Sequence, residues 1–219
     1  VMSEPTWRSE QLSQVMNGWL VEVLLEQEAW SFVRLARDNG YLGWVYRAYL
    51  ADETPPPLTH MVYRPTCLLY TEPTLKSDLV SRVWAGMEVA VTAVSTQWAQ
   101  ISLANGITGW LPQSNLRTLD SLPKTEQARR RQIVKFAYQL IGVPYVWGGR
   151  SALGIDCSGL AELSYRLSGI EIPRDADMQF AAGQEVKTSF KPGDLLFFGS
   201  DQGHRSISHV AISLGGWRI

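Results

Sequence analysis

The sequence predicts an α+β chain: two small β-barrels in its first half, then a domain of helices packed on an antiparallel sheet. Three observations carry this. The hexapeptide Asn39-Gly40-Tyr41-Leu42-Gly43-Trp44, running on to Leu50, recurs 66 residues later as Asn105-Gly106-Ile107-Thr108-Gly109-Trp110, running on to Leu116. A stiff run, Ala51 to Pro57 with three consecutive prolines, separates the two copies. Past Pro123 the apolar spacing changes from strand-like to helical. The predicted domains are therefore residues 1–54, 58–119 and 124–219.

Each barrel follows from local chemistry. An apolar strand-like run precedes each hexapeptide, Trp19 to Leu25 in one copy and Val89 to Val94 in the other. A second follows in each, Ser31 to Leu35 and Trp98 to Leu103. Asn-Gly tolerates positive φ and closes a hairpin. The Gly before Trp permits a tight bend, and the Trp ring is expected to fill a small barrel of about 60 residues. In the third region, Lys124 to Ile141 reads as a helix, with Ile133, Phe136, Ala137, Leu140 and Ile141 at helical spacing and Gly142 as terminator. A glycine-rich loop, Pro144 to Gly154, leads to a second helix opening at Cys157. Leu160, Leu163 and Leu167 lie along one face of that helix, and Gly169 ends it. A loop with Pro173 and strands over Leu195–Phe198 and His209–Leu214 complete the reading.

Composition narrows the function classes. The chain has 219 residues, 45% hydrophobic and 19% charged, with a formal net charge of -1. That balance gives no electrostatic case for nucleic acid or an anionic membrane, and Arg129-Arg130-Arg131 reads as a solvated helix face. No run of about 18 apolar residues occurs, so no membrane span is expected. Cys67 and Cys157 are too few for a disulfide framework or a zinc ribbon, and both read as free thiols. No metal or cofactor is implied.

Cys157 has the setting of a nucleophile. A thiol reacts as thiolate, and a helix N-terminus or a nearby imidazolium favours that form. Asp156 is a candidate N-cap, and Gly159 admits another backbone to the helix start. The alternative is a buried, inert cysteine, which is the reading for Cys67 in its strand-like run. His209 is the candidate base. In strict alternation, His209, Ala211 and Ser213 face one way, and Val210, Ile212 and Leu214 face the core. The alternative is a surface histidine on an edge strand; His60, after the proline run, and His204, in a Gly-containing loop, are read as structural.

Asp156-Cys157-Ser158-Gly159, Pro173-Arg174-Asp175 with Gln179, Pro192-Gly193-Asp194-Leu195 leading into Phe197-Phe198-Gly199, and His209-Val210-Ala211-Ile212 resemble, in order and spacing, the NlpC-type cell-wall peptidases, as does the upstream Tyr145-Trp147-Gly148-Gly149. The repeats over residues 1–119 resemble bacterial SH3-like domains. The resemblance implies a papain-like catalytic domain after two SH3-like barrels, with Cys157 as nucleophile and His209 as base. It implies hydrolysis of γ-D-glutamyl-L-diamino acid bonds in peptidoglycan stem peptides or their fragments. The pairing with SH3-like units implies substrates with a free N-terminal L-alanine, whose ammonium Tyr41 and Asp175 would hold. Asp156 and Ser158 would line the same pocket. Ile107 replaces Tyr41 in the second repeat, so the barrel itself does not require the tyrosine.

The resemblance also implies a polar residue that orients the base, on the strand after the one carrying it. Gly215-Gly216 reads as a two-residue hairpin turn that pairs Leu214 with Trp217 and sets Ile219 opposite Ile212. The orienting residue is then expected about one to three positions past Ile219. The favoured expectation is a cropped fragment of a competent enzyme; the other is a truncated chain with weak or no activity. Two further functions stay open, a silent binding module for wall peptides and a Cys-dependent acyl transferase or amidase. The compartment is open between bacterial cytoplasm and cell wall.

Overall fold

The computed structural model describes residues 1–52, 56–187, 189–200 and 207–219. These fall into two compact units, Val1–Leu122 and Pro123–Ile219. Glu53, Thr54 and Pro55 of the predicted linker, and His204, lie outside the described residues.

In the first unit, β1 (Val21–Gln27), β2 (Trp30–Leu35) and β3 (Leu42–Tyr46) form an antiparallel sheet, followed by a 3₁₀ turn at Arg47–Tyr49. A second sheet holds β4 (His60–Val62), β5 (Thr66–Tyr70), β6 (Leu79–Trp84), β7 (Glu88–Ser95), β8 (Trp98–Ser102), β9 (Thr108–Pro112) and β10 (Leu116–Thr118). Its order is β10-β4-β7-β8-β9-β5-β6, and a 3₁₀ turn at Gln113–Asn115 again follows the third strand of the repeat. The predicted Trp19–Leu25 strand starts later, at Val21. A turn bonding Trp19 N–H to the Met16 carbonyl, with Gly18 at φ 87°, occupies the preceding residues.

The repeat is visible bond by bond. Asn39 and Gly40 take positive φ, and the Leu35 N–H bonds the Tyr41 carbonyl at 2.9 Å. Gly106 does the same, and the Leu103 N–H bonds the Ile107 carbonyl at 2.8 Å. Both β3 and β9 run exposed, buried, half-buried, buried, half-buried. Trp44 and Trp110 are thus half-buried, and the core positions are Val45 and Leu111; the expectation that the Trp ring fills the barrel is corrected. Strand alternation turns the ring outward. The preceding glycine also has another role than a bend, since neither Gly43 nor Gly109 has positive φ. A neighbouring chain segment crosses there: Met2 bridges Trp44, and Tyr70 pairs with Trp110. A methyl on Gly43 would stand 3.0 Å from the Met2 carbonyl oxygen, and one on Gly109 3.0 Å from Leu69 Cβ.

A second repeated segment lies in the crossing loops, at an offset of 68 residues: Glu4-Pro5-Thr6 with Ser9, and Glu72-Pro73-Thr74 with Ser77. Ser9 Oγ accepts from the Glu4 N–H at 3.3 Å, and Ser77 Oγ from the Glu72 N–H at 3.2 Å. The Arg8 and Lys76 N–H groups reach the Thr6 and Thr74 hydroxyls, each at 3.3 Å. Serine and threonine hydroxyls close such loops by replacing backbone partners.

The second unit opens with α1 (Glu126–Gln139), N-capped by Thr125, whose hydroxyl accepts from the Ala128 N–H at 3.3 Å. Ile133, Phe136 and Leu140 of the predicted face are buried, whereas Ile141 is exposed beyond the helix end. The glycine-rich segment is not a plain loop: β11 (Arg150–Ser151) and β12 (Gly154–Ile155) pair within it. Next come α2 (Cys157–Arg166) and α3 (Ala176–Ala182), the latter not anticipated after Pro173, then the antiparallel pair β13 (Leu195–Gly199) and β14 (Ile207–Ile212). α2 ends where Gly169 takes positive φ and the Ile170 N–H bonds back to the Tyr165 carbonyl at 3.0 Å. The core gathers Ile133 from α1, Ala161 from α2, and Val210 and Ile212 from β14.

The end of the chain differs from expectation. Ser213 is fully buried rather than beside His209 on the open face. Its hydroxyl accepts from the Gly215 N–H at 3.0 Å and donates to the Gly216 carbonyl at 2.9 Å, so it organises a turn. Leu214 bonds the Arg218 carbonyl through its N–H at 2.7 Å instead of pairing with Trp217. Trp217 packs edge-on against Phe190 at 4.7 Å. The two-residue hairpin read from Gly215-Gly216 is therefore not formed.

Candidate active site

Cys157 is the first residue of α2, and Asp156 is its N-cap. Asp156 Oδ1 accepts from the Gly159 N–H at 2.7 Å, satisfying one of the helix's orphan donors. Its other partners are as close. The Gly148 N–H reaches Oδ2 at 2.9 Å, and Arg174 grips both oxygens, at 3.0 Å through Nη1 and 2.7 Å through Nη2. Arg174 and Asp156 are both buried, so this bidentate pair neutralises a carboxylate next to the thiol inside the protein. A negative N-cap alone would oppose a thiolate one residue away; the guanidinium cancels it and leaves the helix end electropositive.

Ser158 sits in the same network. Its hydroxyl accepts from Arg174 at 2.8 Å and lies 3.3 Å from Asp156 Oδ1, and the residue is buried. Asp156 and Ser158 thus stand beside the Cys157 thiol with their side chains oriented by Arg174. Gln179, on α3, ties the network down, donating to the Ser158 carbonyl at 3.0 Å and the Pro173 carbonyl at 2.9 Å. Gly159 allows the approach: a methyl there would overlap the Gly149 carbonyl oxygen.

β14 packs against α2, and Cys157 touches the core that Val210 and Ile212 help build. His209 is exposed on the other face of that strand, opposite Phe198 in register, with ring centroids 5.8 Å apart. Asp175, half-buried, precedes α3 at its N-cap position, yet its carboxylate makes no capping bond; its carbonyl accepts from the Gln179 N–H at 2.8 Å. Tyr41 belongs to the other unit, just before β3, where it packs on the Val33–Leu35–Val45 core. Tyr145 is an addition to the predicted set. Its ring is largely exposed, and its phenol is pushed up by partial burial and by the neighbouring Cys157 and Asp156. Its place in Tyr145-Trp147-Gly148-Gly149 was the available signal.

The remaining candidates separate cleanly. Cys67 is buried in β5, and burial pushes its thiol up to about 11, the environment of an inert cysteine. His60, whose Nδ1 is 2.8 Å from the Thr59 hydroxyl, is lowered by burial. Among the described residues, no three His, Cys, Asp or Glu side chains gather as metal ligands, and no helix is long and apolar enough to cross a membrane.

Residues 142–219 match the NlpC/P60 family, and residues 69–116 match the bacterial dipeptidyl-peptidase SH3 domain. A Bacillus subtilis protein named gamma-D-glutamyl-L-lysine dipeptidyl-peptidase is 30% identical over 217 residues, covering 94% of this chain and 70% of that one. The chain belongs to the NlpC/P60 family. A Bacillus cereus relative of the same name is 32% identical over 185 residues, 81% of this chain, and the match spans 55% of the relative's length. The crystal structure of an NlpC/P60 family protein from Bacillus cereus superposes with a TM-score of 0.78 at 28% identity, covering 93% of this chain and 70% of that one. The chain thus has the papain-like NlpC/P60 domain, preceded by an SH3 domain.

Proposed function

We propose that this chain is a cysteine endopeptidase that hydrolyses the γ-D-glutamyl-L-diamino acid bond of peptidoglycan stem peptides. The observation that carries the reading is Cys157 at a charge-neutralised helix start, on a helix packed against the strand bearing His209. The names of the Bacillus relatives support the substrate class. In the mechanism, the Cys157 thiolate adds to the γ-carbonyl carbon of the D-glutamyl residue. The Cys157 backbone N–H, one of the helix's unpaired first-turn donors, stabilises the oxyanion. As the C–N bond breaks, the His209 imidazolium protonates the departing amine. Water, deprotonated by His209, then hydrolyses the thioester and frees the Cys157 thiol. Arg174 holds Asp156 and Ser158 in place beside the nucleophile, and both would line the substrate pocket.

The finer specificity rests on the family resemblance. Tyr41 and Asp175 would bind the ammonium of a free N-terminal L-alanine, the phenol oxygen and carboxylate both accepting from it. Residues 1–54 would be a second SH3-like domain beside 58–119, supported by the shared strand pattern and crossing loops. On L-Ala-γ-D-Glu-L-Lys, Cys157→Ala should lower hydrolysis by roughly 10³-fold or more; retained activity refutes the reading. N-acetylating the substrate, or changing Tyr41→Phe with Asp175→Ala, should raise KM, and equal turnover of blocked and free peptides refutes the ammonium site.

A further inference from the structure

Two adjacent phenylalanines on β13 have opposite settings. Phe197 pairs with Val210 and packs on the core of the second unit, with the Phe180 ring of α3 edge-on to it at 5.4 Å. Phe198 points to the other face and is 44% exposed, so core packing does not account for it. Its register partner is His209, and the two rings lie 5.8 Å apart between centroids, inclined at 40°. Rings interact over such distances, and directly opposed side chains are the nearest neighbours across an antiparallel pair. The ladder also changes at this point. His209 pairs with Phe198, but the next pair is Ile207 with Gly199, so Ser208 has no partner on β13. Regular alternation would turn Ser208 to the core beside Val210, yet Ser208 is exposed. A β-bulge of this kind bends its strand and re-aims the neighbouring side chain, and here that side chain is His209.

We propose that Phe198 is the positioning residue of His209, and that with the bulge at Ser208 it fixes the direction in which the imidazole points. The inference rests on the peptidase reading, in which His209 protonates the departing amine and then takes a proton from water. Both steps need the imidazole held in one direction, toward the γ-carbonyl. An exposed side chain near the end of a strand would otherwise spread over the staggered χ1 wells. The Phe198 ring excludes the imidazole from its own position and offers an apolar face to the orientation that is kept. The bulge sets where that orientation points, because it turns the residue beside it out of the regular pleat. A phenyl ring suits this task because it restrains the imidazole without competing for a proton at either nitrogen. Phe198 acts through His209 and touches no reacting atom. The competing reading is a contact between Phe198 and substrate, and the two differ in their kinetic signature: positioning of the base moves kcat, whereas uniform substrate binding moves KM.

Steady-state kinetics on L-Ala-γ-D-Glu-L-Lys and NMR on the full chain test this. Three-bond couplings from the backbone to the imidazole Cγ report χ1 of His209, whose signals are assigned by their loss in His209→Asn. Wild type should show one rotamer, and Phe198→Ala an average over several. Phe198→Ala should lower kcat by roughly tenfold with KM unchanged, and Phe198→Tyr, which keeps the ring, should hold kcat within about twofold of wild type. Phe198→Leu keeps apolar bulk without a flat ring; it should also lose kcat, and its wild-type melting temperature guards against a folding effect. Wild-type kcat in Phe198→Ala, a rise in KM at constant kcat, a loss in Phe198→Tyr as large as in Phe198→Ala, or the same His209 rotamer populations with and without the ring would each overturn the proposal. The couplings are read without substrate. If wild type leaves the stem peptide intact, the peptidase reading fails, and the rotamer populations alone decide whether Phe198 fixes the imidazole.

Discussion

Cys67 and Cys157 are the same side chain in opposite settings, one in each unit. Cys67 is the second residue of β5, between Thr66 and Leu68, buried among the apolar residues that pack on the seven-stranded sheet. Burial strips water from a thiolate there and outweighs the backbone N–H and charge of Arg64, so the thiol is pushed up to about 11. Cys157 opens a helix, is half-buried, and has a neutralised ion pair behind it and Tyr145 beside it. A strand interior supplies no unpaired donors, because the ladder uses them; a helix start leaves several. The contrast shows that a reactive cysteine is made by the element that carries it and by the charges immediately behind it.

The strongest way to break this contrast is to remove the charge behind Cys157. Arg174→Met leaves the Asp156 carboxylate buried without its counter-ion. Loss of one partner from such a pair costs about 3–5 kcal/mol. Urea unfolding followed through the second unit should show a loss of that size, with Arg174→Lys intermediate because an ammonium cannot grip both oxygens. Stability within about 1 kcal/mol of wild type in Arg174→Met would mean that Asp156 is held by the helix alone.

The two settings were not equally legible in the sequence. Cys157 stood out because its signals are local: an acidic N-cap, a glycine two residues on, and helical spacing of Leu160, Leu163 and Leu167. The Asn-Gly hairpins of the barrels were legible for the same reason, since positive φ is a property of the dipeptide. Arg174 is visible in the sequence only as part of a motif, because its meaning lies in a contact with Asp156 across the fold. Gln179 and Tyr145 became functional candidates through contacts of the same kind. Local signals also misled. Gly215-Gly216 has the composition of a hairpin turn, but the Ser213 hydroxyl and the packing of Trp217 on Phe190 organise that segment differently. Gly43 and Gly109 looked like bends, whereas the reason for them is a strand crossing from elsewhere in the chain.

A smaller effect sharpens the contrast through pH. The ordinary thiol value is 9.0, and Cys67 is raised to about 11. Below the ordinary value both folded and unfolded chains keep the proton, and the stability that burial of the neutral thiol contributes is complete. Between there and about 11 the unfolded chain ionises while the folded chain does not, so stability falls as pH rises through that window. The loss should be about 2 kcal/mol. Comparing urea midpoints of wild type and Cys67→Ala at pH 8 and pH 11 isolates it, because all other titrating groups are shared. Parallel pH slopes for the two proteins would show that Cys67 does not feel its burial. In the same samples at pH 8, iodoacetamide should modify Cys157 and leave Cys67 intact until the chain unfolds.

The smallest effect concerns Cys67 at neutral pH, where only its packing counts. If its role is that of a small apolar side chain, Cys67→Ala removes one sulfur from a core formed with Leu69, Val83 and Leu111. The expected cost is about 1 kcal/mol, near that of deleting a buried methylene, with no change in hydrolysis of the stem peptide. Cys67→Ser should cost more, since the replacement brings a hydroxyl into a site with apolar neighbours. An order Ala above Ser in urea midpoint, with both variants fully active, identifies Cys67 as filler; a loss of activity in either would tie the barrel thiol to the chemistry of Cys157.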